Sequence, residues 1–224
     1  MTEIQKQVSP AVTSAFSGVA RPVLVSAVFF MVVTGLMYPL ATTGAAQLLF
    51  RDQAQGSLVA RNGQAVGSRV IGQLFTQPQY FHGRPSATSG TDPNDPANSI
   101  DQPYNAANSG ASNQGALSKK LLDAVAERTK AYREENGLAA DAKVPVDAVT
   151  ASASGLDPHI SLANARLQVS RVAKARNVPE QDVLSVLEQN TAQRQLGVLG
   201  EPRVNVLELN LALDEAFKAR PVTQ

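Results

Sequence analysis

Pro22-Val-Leu-Val-Ser-Ala-Val-Phe-Phe-Met-Val-Val-Thr-Gly-Leu-Met-Tyr-Pro-Leu40 decides the architecture of this chain. Fourteen of these 19 residues are Val, Leu, Ala, Phe, Met or Tyr, and no charged residue occurs from Pro22 to Phe50, a run of 29. At 1.5 Å rise per residue the stretch makes roughly 28 Å of helix, about the hydrocarbon thickness of a bilayer. Arg21 and Arg51 flank the uncharged run, and Tyr38 sits near one end, where an amphipathic ring suits the headgroup layer. A core helix would be shorter and carry a polar face. A cleaved signal peptide would have a shorter apolar region and a small-residue cleavage site, which Gly44-Ala45-Ala46 matches only loosely. The reading is a retained membrane anchor. Ser26, Thr34 and Gly35 are small enough to let another helix approach closely.

Charge does not orient this anchor. Lys6 and Arg21 lie on one side, and Arg51, Arg61 and Arg69 on the other, so the positive-inside rule is nearly silent. The expected organisation is an N-terminal tail over 1–21, an anchor and membrane-proximal segment over 22–50, and one soluble domain over 51–224. From Asp52 onward there are 17 Lys+Arg and 18 Asp+Glu, a net charge of −1, and no second run of membrane length.

The soluble part predicts an α+β domain. Asn62-Gly63 between short apolar groups in Gly56–Leu74 signals a hairpin, since both residues tolerate positive φ. Gly83–Gly115 is rich in Gly, Pro, Ser, Asn and Asp and shows no periodicity. It reads as a long polar loop (83–116), which serves as either a mobile surface loop or a partner contact. Leu117–Asn136 predicts an amphipathic helix with Leu117, Leu121, Val125 and Tyr132 on one stripe, ended by Gly137. Val144–Gly155 reads as a strand or short helix. Ser161 is a plausible N-cap for a helix running to about Asn177, and a second helix starts at Pro179. Val204–Phe217 fits both alternation and helical spacing. Asn205 followed by Glu208 resembles a capping box, which selects helix.

Composition excludes several chemistries. The chain has no Cys, which removes disulfides, zinc–thiolate sites, iron–sulfur ligation and Cys nucleophiles. Only His82 and His159 are available as imidazole ligands, and no metal site is expected. Neither common phosphate-cradling fingerprint is present. Asp157 and His159, with Ser152 or Ser154, suggest a membrane-anchored hydrolase, but Asp-Pro-His has no preferred triad geometry and there is no nucleophile elbow. A turn that orders the following helix is the simpler reading. The helices joined at Asn177-Val178-Pro179, with Arg166, Arg171, Lys174 and Arg176, suggest a membrane-tethered DNA-binding regulator. The domain's charge of −1 argues against it. His82 reads as a local packing or hydrogen-bonding residue. No catalytic residue is expected.

Four stretches together carry a resemblance. They are FTQPQYFHGRPSAT (75–88), SGASNQG (109–115), VPVDAVTASASGLDPHISLANARLQVSRVAKAR (144–176) and EPRVNVLELNLALDE (201–215). With the single N-terminal anchor, the chain resembles the KdpC family of the bacterial Kdp high-affinity potassium-transporting P-type ATPases. The resemblance implies a non-catalytic accessory subunit in the bacterial inner membrane. Its partners would be a channel-like subunit that carries potassium, a P-type ATPase subunit that uses ATP and Mg, and a small fourth subunit, with lipid around the anchor and no nucleic acid. It also implies a cytoplasmic N-terminus, an extracytoplasmic soluble domain, and a role in assembly and in raising the ATP affinity of the ATPase partner. ATP is cytoplasmic, so a domain outside can act on it only indirectly, by binding two states of the pump differently. The candidate partner contacts are Phe81, Arg84, Pro85 and Ser86; Ser109, Gly110, Ser112 and Asn113; and Thr150, Ser152, Ser154, Gly155, Asp157 and His159. The expectation is that these loops meet and touch the potassium-carrying subunit.

Overall fold

The structure, a computed structural model, describes residues 11–218, with side-chain detail from residue 18. The chain divides between Gly56 and Ser57 into two compact units. The first is helical. Helix α1 (Ala11–Val32) passes through a single π-turn (Val33–Met37) into α2 (Tyr38–Leu49), and α3 (Arg51–Ala54) follows. The helix thus begins inside the stretch read as a tail, and residues 1–10 with Lys6 lie outside the described residues. Gly18–Leu49 is long and apolar enough to cross a membrane, and none of it is buried within the chain.

The second unit mixes helices with three small sheets. Strands β1 (Leu58–Arg61) and β2 (Gln64–Ser68) form an antiparallel hairpin. Its turn is Asn62-Gly63, with φ of 53° and 79°; two left-handed residues in succession match the right-handed twist of the strands. The polar loop also contains structure that the sequence did not predict. Strands β3 (Ser89–Thr91) and β4 (Ser99–Asp101) pair across it. Its tip is closed by Asp92 and Asp95, whose carboxylates accept the N–H groups of Asn94 and Ala97. Such side-chain turns hold a polar segment without an apolar face.

Helix α4 (Lys119–Glu135) starts after Ser118. Leu117 lies outside it and is 92% exposed, so it takes no part in the predicted stripe. The segment read as strand or short helix is the one-turn helix α5 (Val146–Val149). Strand β5 (His159–Ser161) leads into α6 (Leu162–Arg176), capped by Ser161, whose Oγ accepts the Asn164 N–H at 3.1 Å. Asn177 ends α6 in the left-handed conformation, φ 54°, and α7 (Glu180–Gln189) follows Pro179.

The C-terminal stretch required both of its sequence readings. Arg203–Asn205 is a strand, β7, between β5 and the short β6 (Thr191–Ala192). Helix α8 (Val206–Ala216) starts directly after it. Asn205 caps α8 by accepting the Glu208 N–H, but Glu208 turns to Arg69 at 3.0 Å and so does not complete the box. The core lies where α6, α7 and α8 meet the β5–β7 pair. Ala165, Val169, Val172, Val183, Leu187, Val204, Leu209 and Leu213 are each at most 3% exposed there.

Candidate functional site

The site is built on the segment Phe81–Thr88, which is held by side-chain amides. Asn210 on α8 accepts the Phe81 N–H at 2.8 Å and donates to the Phe81 carbonyl at 3.0 Å. Gln168 on α6 does the same to His82, at 2.7 and 3.1 Å. Each amide thus replaces one residue of a missing β-neighbour, and both are buried. Phe81 itself is fully buried in the core. The expectation that it offers a contact surface fails for its side chain. His82 packs locally as expected, with Nδ1 2.7 Å from Glu135 and Nε2 3.1 Å from the Gln77 carbonyl.

Beyond His82 the three family-like loops converge. The Arg84 guanidinium lies 3.0 Å from Asp157 and donates to the Thr150 and Ala151 carbonyls at 3.4 and 3.5 Å. Its Nε is buried without a partner among the described residues. Ser86 Oγ donates to the Gly155 carbonyl at 2.7 Å and accepts the Tyr104 N–H. Ser109 Oγ and the Gly110 N–H both reach the Ser154 carbonyl, at 3.1 and 3.0 Å. Tyr104 closes the centre by donating to the Arg84 carbonyl at 2.8 Å; burial pushes its phenol up to about 12. Pro85, Thr150 and Ser152 are half-buried, whereas Ser112 and Asn113 stand exposed at the rim. Arg84, Ser86, Ser109, Gly110, Ser154, Gly155 and Asp157 are therefore brought together. Ser112 and Asn113 are brought near by chain continuity alone.

The patch is open on its outer side. A groove of about 610 Å³ runs past Arg84, Asp147, Asp157, His159, Glu201 and Arg203. A second of about 540 Å³ runs past Ile71, Arg84, Ser154 and Asp157. Among the described residues no group of three or more His, Cys, Asp or Glu could hold a metal ion.

Neither alternative reading of the sequence gains support. Asp157 spends its carboxylate on Arg84 and on the His159 N–H at 3.0 Å, with the His159 ring 3.5 Å away. The Ser152 and Ser154 hydroxyls face each other at 3.4 Å. This is an ion pair over a turn. Of the four cations on the would-be recognition pair, two are structural. Arg171 is 8% exposed and bonded to Asn136, Gln168 and the Pro78 and Tyr80 carbonyls. Arg176 is 9% exposed, pairs with Asp214 at 2.9 Å and covers the Tyr80 ring.

The carboxylates give a pH prediction. Burial opposes the charge of Asp157, yet the His159 ring and N–H and the Arg84 guanidinium hold it below its ordinary range. The His82 hydrogen bond does the same for Glu135, helped by the charges of His82 and Arg171. A lowered carboxylate stabilises the fold fully above its unfolded value, about 4, and the contribution disappears as pH falls through the folded value. Asp157→Asn and Glu135→Gln therefore lower the urea midpoint at pH 7, and the gap to the parent narrows as the pH falls below 4. A gap that stays constant to pH 2.5 would refute this origin.

Residues 20–215 match the family described as K+-transporting ATPase, c chain. The chain is 56% identical over 196 residues to the potassium-transporting ATPase KdpC subunit of Bradyrhizobium diazoefficiens, covering 88% of this chain and 96% of that one. The corresponding subunit of Rhodopseudomonas palustris is 55% identical with the same coverage. That of Mycobacterium bovis is 54% identical over 193 residues, 86% of this chain and 96% of that one. The chain belongs to the KdpC family. KdpC is a non-catalytic accessory subunit of the Kdp potassium-transporting ATPase, and its apolar helix associates it with a membrane. The matched region takes in most of that helix as well as all the converging loops.

One surface escaped the sequence reading. Gln195 and Leu199 pair across a tight loop in which Leu196, Gly197 and Gly200 have positive φ. Leu196, Val198 and Leu199 are 90, 72 and 57% exposed at its tip. The available signal was Leu196-Gly-Val-Leu-Gly200, apolar residues interleaved with glycines.

Proposed function

We propose that this KdpC chain docks its soluble domain, on the extracytoplasmic side, against the channel-like potassium-carrying subunit through the patch Arg84–Ser86, Ser109–Asn113 and Thr150–His159. The P-type ATPase subunit uses ATP and Mg, a small fourth partner completes the complex, and the chain itself binds neither nucleotide nor nucleic acid. The N-terminus is cytoplasmic. Docking favours one state of the pump and so raises its use of ATP from across the membrane.

The observation that carries this reading is the cross-bracing of the three loops. Their carbonyls and hydroxyls are bonded to one another, which fixes the backbone and leaves the rim residues Ser112 and Asn113 free to meet a surface. A braced base beneath the rim loses little conformational freedom on docking. Ser112→Arg adds bulk to the rim without touching the braces. It is expected to abolish co-purification with the other Kdp subunits and potassium-stimulated ATP hydrolysis, with the unfolding midpoint unchanged. Full stoichiometry and full activity in this variant would overturn the docking surface.

Orientation has its own test. The chain lacks Cys, and Thr91 is exposed on β3. Thr91→Cys is expected to react with a membrane-impermeant maleimide in intact cells. Reaction only after lysis would place the domain inside and make direct contact with the ATP-hydrolysing subunit the mechanism.

A further inference from the structure

Four successive backbone carbonyls, from Gln77 to Tyr80, each lie against a basic side chain. Arg171 donates to the Pro78 and Tyr80 carbonyls at 2.7 and 3.0 Å, and Arg176 donates to the Gln79 carbonyl at 2.7 Å. The Gln77 carbonyl accepts the Tyr80 N–H, which closes the turn, and faces His82 Nε2 at 3.1 Å. Arginine keeps its charge in proteins. Histidine is the one of these side chains whose charge changes between pH 5 and 8.

The other ring nitrogen, Nδ1, lies 2.7 Å from Glu135 at the end of α4. Both partners are acceptors. A carbonyl has no proton to give, and the Glu135 carboxyl, bonded to His82 and 3.9 Å from Arg171, is held below its ordinary range and stays ionised at pH 5. A neutral imidazole carries one N–H and serves one of the two oxygens, with its bare lone pair turned on the other. The imidazolium donates to both. The ring hangs from a fixed backbone, because Gln168 holds both the N–H and the carbonyl of His82. The other titratable and charged groups around the ring keep their state over this range. Arg84 and Arg128 share its cavity with Tyr104 and Tyr132, and burial pushes both phenols up. Tyr80 turns its hydroxyl away to Asp214.

We infer that His82 is a proton-operated clip between the Gln77–Tyr80 turn and the end of α4: the charged ring joins the two, and the neutral ring releases one. The turn and the helix end line a cavity of about 690 Å³, with Thr76 and Pro78 from the first and Glu134–Gly137 from the second. Loss of the proton therefore frees one wall of that cavity. The sign is opposite to that of the carboxylates described above. The clip is complete near pH 5 and is lost as pH rises through the histidine range. The soluble unit thus responds to the pH of the side it faces, whether or not it docks as proposed.

The test uses the full chain in detergent with ¹⁵N in the imidazole rings. The chain has two histidines, and His82→Gln assigns their signals. His82 is expected to carry a proton on both ring nitrogens at pH 5.5 and on one at pH 8.5. The N–H groups of Asn136 and Gly137 close the end of α4. Their protection from exchange, corrected for the intrinsic rate, is expected to be about tenfold lower at pH 8.5, the scale of one hydrogen bond to a charged group. His82→Gln removes the titrating ring and abolishes this difference. Glu135→Gln abolishes it by another route, since an amide both donates and accepts and so serves either form of the ring. His159→Gln keeps it. An unchanged proton count on His82 between the two pH values overturns the inference. So does equal protection at both, or a difference that survives in both His82→Gln and Glu135→Gln.

Discussion

Gln168→Leu is expected to cost the second unit about 4 kcal/mol, the sum of orphaning two or three buried groups at roughly 1–3 kcal/mol each. Gln168 is 1% exposed. Its carbonyl accepts from the His82 N–H and from Arg171 at 2.7 and 2.8 Å, and its amide donates to the His82 carbonyl and to Asn164 at 3.1 and 2.9 Å. Leucine keeps the volume and supplies none of these bonds. Asn164 retains the Tyr132 hydroxyl at 2.7 Å and a bond to Asp147 at 3.0 Å, and Arg171 retains three other acceptors, so the loss falls mainly on the His82 backbone. Urea unfolding of the full chain in detergent measures it. A loss under about 1 kcal/mol would mean that the amide is incidental to the fold. Amide exchange at His82 separates this from general loosening, because that N–H loses protection first.

Gly155→Ala is the second large effect, about 3 kcal/mol. Gly155 has φ +68°, a region that costs a residue with a Cβ roughly 1–2 kcal/mol. An added Cβ would also lie 2.6 Å from Thr88 Cγ2 and 2.7 Å from the Gly110 carbonyl. The second neighbour is backbone and cannot rotate away. The loops must part, which breaks the Ser86–Gly155 and Gly110–Ser154 bonds. Two readouts are expected to move together: the unfolding midpoint falls, and docking to the other Kdp subunits weakens although no rim residue is altered. Gly115→Ala, where a Cβ meets nothing, is expected to do neither. Docking at the parent level in Gly155→Ala would show that the patch does not need its braces.

The sequence was most legible where one residue type leaves few choices. Asn62-Gly63 demanded a turn of positive φ, and an uncharged run of 29 residues demanded an anchor. It was least legible where elements are short. β5 and β7 are three residues each, too few for alternation to show, and β7 runs into α8 without a break, so one apolar stretch served two periods. The polar loop hid its order for another reason: Thr88, Asn105 and Asn108 satisfy its backbone with side chains, and such bonds leave no hydrophobic pattern. Likeness located the patch residues but could not tell a braced glycine from an exposed asparagine, nor show that Phe81 points inward. Gln168 and Asn210 read as polar interruptions of amphipathic helices. Their pairing with a segment far away in sequence has no local signal.

The amide clamps on Phe81 and His82 also bear on how the chain is made. The held segment emerges early during synthesis, but its clamps lie at 168 and 210. Domains assemble as the chain is delivered from its N-terminus, so position 82 has no clamp until α6 is made and position 81 none until α8 has cleared the translation machinery. A nascent chain that stops before Val206 lacks the helix that contributes Leu209, Leu213 and Asn210 to the surroundings of Phe81. A product truncated before α8 therefore lacks both the clamp on the Phe81 backbone and part of the apolar cover of its ring.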